Sequence, residues 1–431
     1  MGEVSIYKPK PISGYPEWLP EFRAVELAWL DSIRSVFESY GYCSIETPAV
    51  EEIQVLTSKG ESADKEIYCI SRLNGEPSTE LGLHYDLTVP FARYVAQYYG
   101  QLDFPFKRYQ IQKVWRGERP QEGRFREFYQ CDVDVVNLDS LPLFFDVEIP
   151  KIMHAALSAL PLGPLDIKLS NRKILEGFLQ GLEVKNPIPV IRAIDKLEKI
   201  GQEGVAKILN QTLHLEQTKL CLELAEINQD DFSKRVTDLG ISNETLTLGL
   251  EELSQVFSEL SALDQKSFSI DLSIARGFDY YSGTIFEAKL KNFPQFSTIA
   301  AGGRYDHLAN SFTKTNLPGI GMSIGLTRIF SKMLAEGKIE AKAKAPTQVL
   351  IAWLDQNQKH EIEQTASKLR ERGFKVEVYF ALDKLKKQIR YADKKGIPYI
   401  LFPANSENPK DEIKNMQSGE QFSINLDNWQ I

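Results

Sequence analysis

The chain has 431 residues, of which 42% are hydrophobic and 26% charged, enough for two or three domains with a sizeable core. Its formal net charge of −8 argues against coating nucleic acid by bulk attraction, while leaving room for a local basic surface that docks one particular RNA. Cys43, Cys69, Cys131 and Cys221 show neither CxxC nor Cys/His ligand spacing, and no segment approaches the roughly 18 apolar residues of a membrane span, so the chain reads as a cytoplasmic protein, untargeted and not membrane-bound.

The first predicted element is a helix over residues 21–40, with Phe22, Val25, Leu27, Trp29, Leu30, Ile33, Val36 and Phe37 near helical spacing, ended by Gly41. Residues 43–50 read as one strand, in which Pro48 removes a ladder donor and so marks an edge, a bulge, an interface or simply the strand's end. Residues 107–116 and 125–136 are strand-like runs flanking the polar loop GERPQEGR, which predicts a long antiparallel hairpin. In its second strand the two-residue period puts Gln130, Asp132 and Asp134 on one face and Cys131, Val133 and Val135 on the other. That polar face suits either a pocket or solvent.

From residue 172 to 263 Leu, Glu, Lys and Gln recur at helical spacing and aromatics become rare, which predicts a helical insertion without a chemical motif. Strand character returns over 268–274, where Phe268, Ile270, Leu272 and Ile274 alternate, and continues through 284–290. A Lys-rich stretch over 332–346 has linker composition. Beyond it TQVLIAW, KVEVYF and PYILF alternate with helical runs, predicting a small α/β domain with a parallel sheet.

Three arginines stand where fixed cations could meet phosphate: Arg116 at the end of the first hairpin strand, Arg276 in ARGFDYYSG, and Arg328 in GIGMSIGLTRIF. Gly302 and Gly303 permit either a tight turn or close approach of backbone to a ligand. Gly319, Gly321 and Gly325 suit close helix–sheet packing or room for a flat adenine. Lys384, Lys387, Tyr391, Lys394 and Lys395, flanked by Lys386 and Arg390, fall mostly on one side of a helix, either solvated or phosphate-contacting.

In order, these segments resemble the motifs of a class II aminoacyl-tRNA synthetase: the first helix with Pro48 resembles motif 1, FKRYQIQKVWRGERPQEGRFREFYQCDVDVV motif 2, and GIGMSIGLTRIF motif 3. ARGFDYYSG and AAGGRYD resemble the two signatures peculiar to histidyl-tRNA synthetases, and LHYDLTVPFARYVA strengthens the likeness. The resemblance implies an α+β catalytic domain with an antiparallel sheet over residues 1–171 and 264–335, a helical insertion over 172–263, and a C-terminal α/β anticodon-binding domain over 346–431.

It further implies activation of L-histidine by ATP to histidyl-adenylate, with pyrophosphate released and Mg2+ bridging the phosphates, then transfer to the 3′ end of tRNA(His) by a homodimer. By matching position, Arg116 would hold the α-phosphate and Arg328 the γ-phosphate, with Glu118 and Gly325 completing the ATP site. Arg276 would touch the histidine carboxylate and the α-phosphate. Asp86, Thr88 and Gln130 would receive the ammonium, Asp134 and Tyr281 the two imidazole nitrogens, and Tyr280 and Tyr305 would wall the pocket. No protein metal site is implied. Arg119, Gln121 and Arg126 would face the acceptor stem and its extra 5′ guanosine, although Glu122 stands where relatives often carry a basic residue. The alternative is a non-catalytic, histidine-binding regulatory paralogue of ATP phosphoribosyltransferase. Such proteins typically lack the anticodon domain and parts of the two histidine signatures, all retained here.

Overall fold

A computed structural model describes residues 7–58, 65–76, 78–228, 231–275, 280–341, 343–404 and 408–431. Two compact units emerge, Met1–Pro16 with Trp29–Glu336, and Glu17–Ala28 with Gly337–Ile431. The chain begins with α1 (Pro20–Ser39), β1 (Cys43–Ser44), β2 (Val50–Glu52), α2 (Ile53–Leu56), β3 (Leu81–Leu83) and α3 (Thr88–Tyr98). There follow β4 (Phe106–Trp115), β5 (Glu127–Val136), α4 (Phe144–Ser158) and β6 (Leu165–Asn171). Six helices come next: α5 (Arg172–Gly181), α6 (Pro187–Ile194), α7 (Leu197–Leu209), α8 (Leu215–Ala225), α9 (Phe232–Asp238) and α10 (Glu244–Asp264). β7 (Phe268–Ile270), β8 (Thr284–Leu290), β9 (Ala300–Tyr305), β10 (Gly319–Gly325) and α11 (Leu326–Ala335) close the first unit.

Its main sheet has eight strands in the order β1-β4-β5-β10-β9-β8-β6-β7. The strands at both edges pair parallel and the interior is antiparallel. The predicted hairpin is its centre, in the register Phe106↔Val136 to Trp115↔Glu127. Cys131, Val133 and Val135, with Ile320, Met322 and Ile324, bury the rear face, where α4 lies against β10. α10 covers β6 and β7, and meets α5 at Gly177 and Gly249, where a Cβ on Gly249 would stand 2.8 Å from the Ile174 nitrogen.

Two local expectations are corrected, and one of two open alternatives falls away. Residues 43–50 form no single strand: β1 joins the edge of the main sheet, whereas β2 pairs with β3 in a separate two-stranded sheet. Pro48 lies between them, where its missing N–H would have broken a ladder. The strand predicted over 268–274 stops at Ile270, because the Asp271 carboxylate accepts from the Ser273 N–H at 3.0 Å and turns the chain. Gly302 and Gly303 make no tight turn. They lie inside β9, where a Cβ on Gly303 would stand 2.8 Å from the Thr284 carbonyl oxygen and one on Gly302 would overlap the Gly321 carbonyl.

The second unit holds β11 (Val349–Ile351), α12 (Lys359–Glu371), β12 (Val376–Val378), α13 (Leu385–Lys395), β13 (Tyr399–Phe402), β14 (Glu412–Asn415) and β15 (Gln421–Ser423). Its sheet runs β12-β11-β13-β14-β15 around Ile351, Ile362, Leu369 and Leu401. It is mixed, not parallel throughout: β12, β11 and β13 are parallel, and β14 and β15 add antiparallel to them. On α13, Tyr391 and Lys395 turn onto Glu377, and Lys387 pairs with Asp383 at 2.8 Å. The exposed cations there are Lys384, Lys386, Lys387, Arg390 and Lys394. Among the described residues no helix is long and apolar enough to cross a membrane.

Candidate active site

The pattern of β5 supplies the floor of a cavity of about 270 Å³ in the first unit. Gln130, Asp132 and Asp134 project to the front of the sheet. Opposite them on β10 stand Gly325, Ser323 and Gly321, and opposite Ser323 and Gly321 on β9 stand Ala301 and Gly303. Polar side chains thus face small ones along the same rows, and the cavity is the space those small residues leave. A Cβ on Gly321 would overlap the Asp134 carboxylate, whereas one on Gly325 would meet nothing closer than 3.6 Å.

One end of the cavity is an acid among phenols. Asp134 is buried, paired with Arg108 Nη2 at 2.7 Å and accepting from the Tyr305 hydroxyl at 2.7 Å. Arg108 is itself fully buried on β4, its guanidinium 4.2 Å from the Phe91 ring centre. Tyr280 and Tyr281 pack with ring centres 4.2 Å apart and line the same end. Burial pushes the Tyr280, Tyr281 and Tyr305 phenols above their ordinary range, so all three remain protonated donors. Asp86 and Thr88 line the cavity from the start of α3, where Asp86 accepts from the Val89 N–H at 3.0 Å.

In the middle, Gln130 donates from Nε2 to the Ser323 hydroxyl at 2.6 Å, and Ser323 stands directly across from Asp132 in the strand register. Gln130 Oε1 and Asp132 Oδ1 are buried without a protein partner among the described residues. Burial drives the Asp132 carboxyl up to about 7, against the pull of Arg108.

The other end is cationic. Arg116 donates from Nε to the Tyr85 carbonyl at 3.0 Å and lies 5.1 Å from the Phe128 ring centre. Arg328, in the first turn of α11, donates to the Gly123 and Thr298 carbonyls, each at 2.8 Å. Gly123 has φ +68°, and a Cβ there would stand 3.0 Å from the Phe296 ring and 3.2 Å from the Arg328 side chain. Arg328 thereby holds the loop of the β4–β5 hairpin, in which Arg124 pairs with Glu118 at 3.0 Å. Four strand steps lead from Gln130 to Asp134, about 13 Å at the usual rise. Arg116 beside Phe128 and Arg328 beside Gly123 and Thr298 stand apart from Asp134 and its tyrosine, so a phosphate-seeking end and an imidazole-seeking end share one cavity.

The cavity brings together Asp86, Thr88, Arg116, Glu118, Gln130, Asp134, Tyr280, Tyr281, Tyr305, Gly325 and Arg328. Arg276 lies outside the described residues. Arg119, Gln121 and Arg126 do not line it: Arg119 and Gln121 are exposed on the hairpin loop, and Arg126 is half-buried, donating to the Glu118 carbonyl at 3.2 Å. Glu122 pairs with Lys332 at 3.2 Å. Sequence reasoning gave no role to Arg108, Asp132 or Ser323. The available signal for Arg108 was the strand period, which sets it on the front face two rows from Gln112 and directly opposite Asp134.

Comparisons with known proteins bear on the same residues. The family model described as Histidyl-tRNA synthetase matches residues 14–329, and the Anticodon binding domain model matches residues 348–429. The chain is 51% identical over 437 residues to a histidine–tRNA ligase of Thermobifida fusca (strain YX), spanning 100% of both. It is 43% identical to that of Micrococcus luteus, over 97% of this chain and 95% of the relative. The crystal structure of histidyl-tRNA synthetase from Nostoc sp. PCC 7120 superposes with a TM-score of 0.89 at 36% identity, covering 98% of each chain. An ATP phosphoribosyltransferase regulatory subunit/histidyl-tRNA synthetase from Bacillus halodurans C reaches a TM-score of 0.77 at 19% identity, over 92% of this chain and 99% of that one, a likeness of fold alone.

Proposed function

The chain belongs to the histidyl-tRNA synthetase family, and from that premise we propose how its cavity divides the work of joining histidine to tRNA with ATP. The regulatory paralogue is not favoured, since the full-length likeness is to histidine–tRNA ligases.

The observation that carries the proposal is the polarity of the cavity: Asp134 and the tyrosines at one end, Arg116 and Arg328 at the other. At the acidic end a neutral imidazole offers one donor and one acceptor nitrogen, matched by the Asp134 carboxylate and the Tyr281 hydroxyl. Tyr305 and Arg108 fix Asp134, and Tyr280 and Tyr305 wall the ring. Asp86, Thr88 and Gln130 take the ammonium.

At the cationic end Arg116 holds the α-phosphate and Arg328 the γ-phosphate, with Glu118 and Gly325 beside the nucleotide. Both arginines are anchored through backbone carbonyls, so they are positioned before charge moves. The histidine carboxylate attacks the α-phosphorus in line, its phosphorus–oxygen bond forming as that to pyrophosphate breaks. Arg276 supplies a further cation to the carboxylate and α-phosphate. The tRNA's terminal ribose hydroxyl then displaces AMP from the histidyl carbonyl.

Among the described residues no group of three or more His, Cys, Asp or Glu stands together as a metal cage. The Glu118 carboxylate at the nucleotide end nonetheless suits Mg2+ carried on ATP, and the ion would neutralise the leaving pyrophosphate. Arg119, Gln121 and Arg126 face the acceptor stem of tRNA(His), residues 172–263 form the insertion, and residues 346–431 read the anticodon. By the same resemblance the protein works as a homodimer in the cytoplasm.

ATP–pyrophosphate exchange, run with each amino acid separately, with magnesium and without tRNA, tests this reading. Exchange driven by histidine alone is expected; histidine binding without exchange would instead identify a regulatory protein.

A further inference from the structure

Asp132 lines the same cavity as Gln130 and is only 1% exposed. A carboxylate kept from water needs hydrogen-bond donors or a cation, and a buried acceptor left unmet is costly. Asp132 Oδ1 has no hydrogen-bond partner among the described residues, and neither has Gln130 Oε1. The other end of the Gln130 amide is taken, since Nε2 donates to the Ser323 hydroxyl at 2.6 Å. Two unmet oxygens thus stand on one face of β5, two residues and so about 7 Å apart along the strand, close enough for one cation to be shared. In the row of Asp132 the neighbouring strands carry Ser323 and Ala301, side chains too small to cover it.

The charges nearby point the same way. Asp86, Asp132 and Asp134 all line the cavity, whereas Arg108, facing them from β4, is already paired with Asp134 at 2.7 Å. Tyr281, held protonated by burial, brings no charge of its own. Burial pushes the Asp132 carboxyl up to about 7, with Arg108 pulling it down and Asp134 and Asp86 adding to the rise. A carboxylate so placed is stabilised by an incoming cation, and an ammonium brings one positive charge together with three N–H donors.

We propose that Asp132 is a substrate-binding residue: its Oδ1, with Gln130 Oε1 beside it and Asp86 at the start of α3, receives the ammonium of histidine. To the neutral amide of Gln130 it adds a full negative charge, and with it a stronger, charge-assisted hydrogen bond. The inference rests on the placement of histidine's ammonium in this part of the cavity, and deepens it.

Titration calorimetry on the full chain compares three ligands: histidine; histidinol, which keeps the ammonium and lacks the carboxylate; and imidazolepropionate, which lacks the ammonium. Wild-type protein binds histidine more tightly than imidazolepropionate. Absence of that preference would overturn the placement of the ammonium itself, and the role of Asp132 with it. Asp132→Ala, which leaves no acceptor at 132, weakens histidine and histidinol about tenfold or more, as the loss of one charged hydrogen bond requires. It weakens imidazolepropionate by no more than about twofold, which also reports a folded site. Asp132→Val, equally without an acceptor and suited to a strand, gives the same pattern and carries the test if Asp132→Ala does not fold. With the wild-type preference in place, equal weakening of all three ligands would make Asp132 a packing residue, and unchanged binding of all three would leave it no part in recognition; either refutes the proposal.

Discussion

A Cβ placed on Gly321 overlaps the Asp134 carboxylate, so the smallest possible substitution there acts on the acid that we propose faces the imidazole. Gly321→Ala should raise KM for histidine by about one to two orders of magnitude, in keeping with the roughly 1–3 kcal/mol of a forced overpacking. KM for ATP should stay within about twofold, because Arg116 and Arg328 sit at the other end; steady-state exchange at varied histidine and ATP separates the two. Single residues were partly legible from sequence. The period of β5 placed Gln130, Asp132 and Asp134 on one face, and the structure decides for a pocket because β10 sets the small residues Gly321, Ser323 and Gly325 beside them on that face and the cavity forms over both strands. Arg108 was not legible: a charge in FKRYQIQ reads as a solvated strand position until its partner across the sheet is known.

Between elements the firmest polar tie is Arg304, whose guanidinium donates to both Asp146 oxygens from β9 to the first turn of α4, with Nε at 3.2 Å from each, and also to the Leu141 carbonyl at 2.9 Å. Asp146 is fully buried; desolvation raises its carboxyl, and Arg304 pulls it back. Asp146→Ala leaves the buried guanidinium, among the described residues, only the Leu141 and Pro142 carbonyls and the more distant Asp306 carboxylate at 3.7 Å, which should cost about 3 kcal/mol. Chemical denaturation reads that loss, and a change under about 1 kcal/mol would show that the pair contributes little net stability. Elements with long regular periods, such as α1, β4 and β5, were legible from sequence to within a residue or two. Short ones were not. β14 (EIKN) and β15 (QFS) each carry a single apolar residue, too little for a period, and they exist because β13 offers an edge.

At the scale of the molecule, chemistry and anticodon reading fall to separate units, and each should fail alone. Replacing Lys386, Arg390 and Lys394 on the exposed side of α13 by glutamine should raise KM for tRNA about tenfold in aminoacylation. Histidine-dependent exchange should stay unchanged; an equal loss in both assays would mean the substitutions damaged the protein as a whole. The same scale gives meaning to the way the chain leaves β6 and returns at β7. These strands are parallel neighbours, Ile167 beside Phe268, and α5 and α10 form a glycine-fitted stem between them. A parallel pair needs a crossover of a dozen or more residues, and α5 with α10 already meets that need. The helices α6 to α9 are thus held at the end of a closed bracket, where a lineage can lengthen, trim or exchange them, or an engineer graft a foreign module, without shifting the catalytic floor.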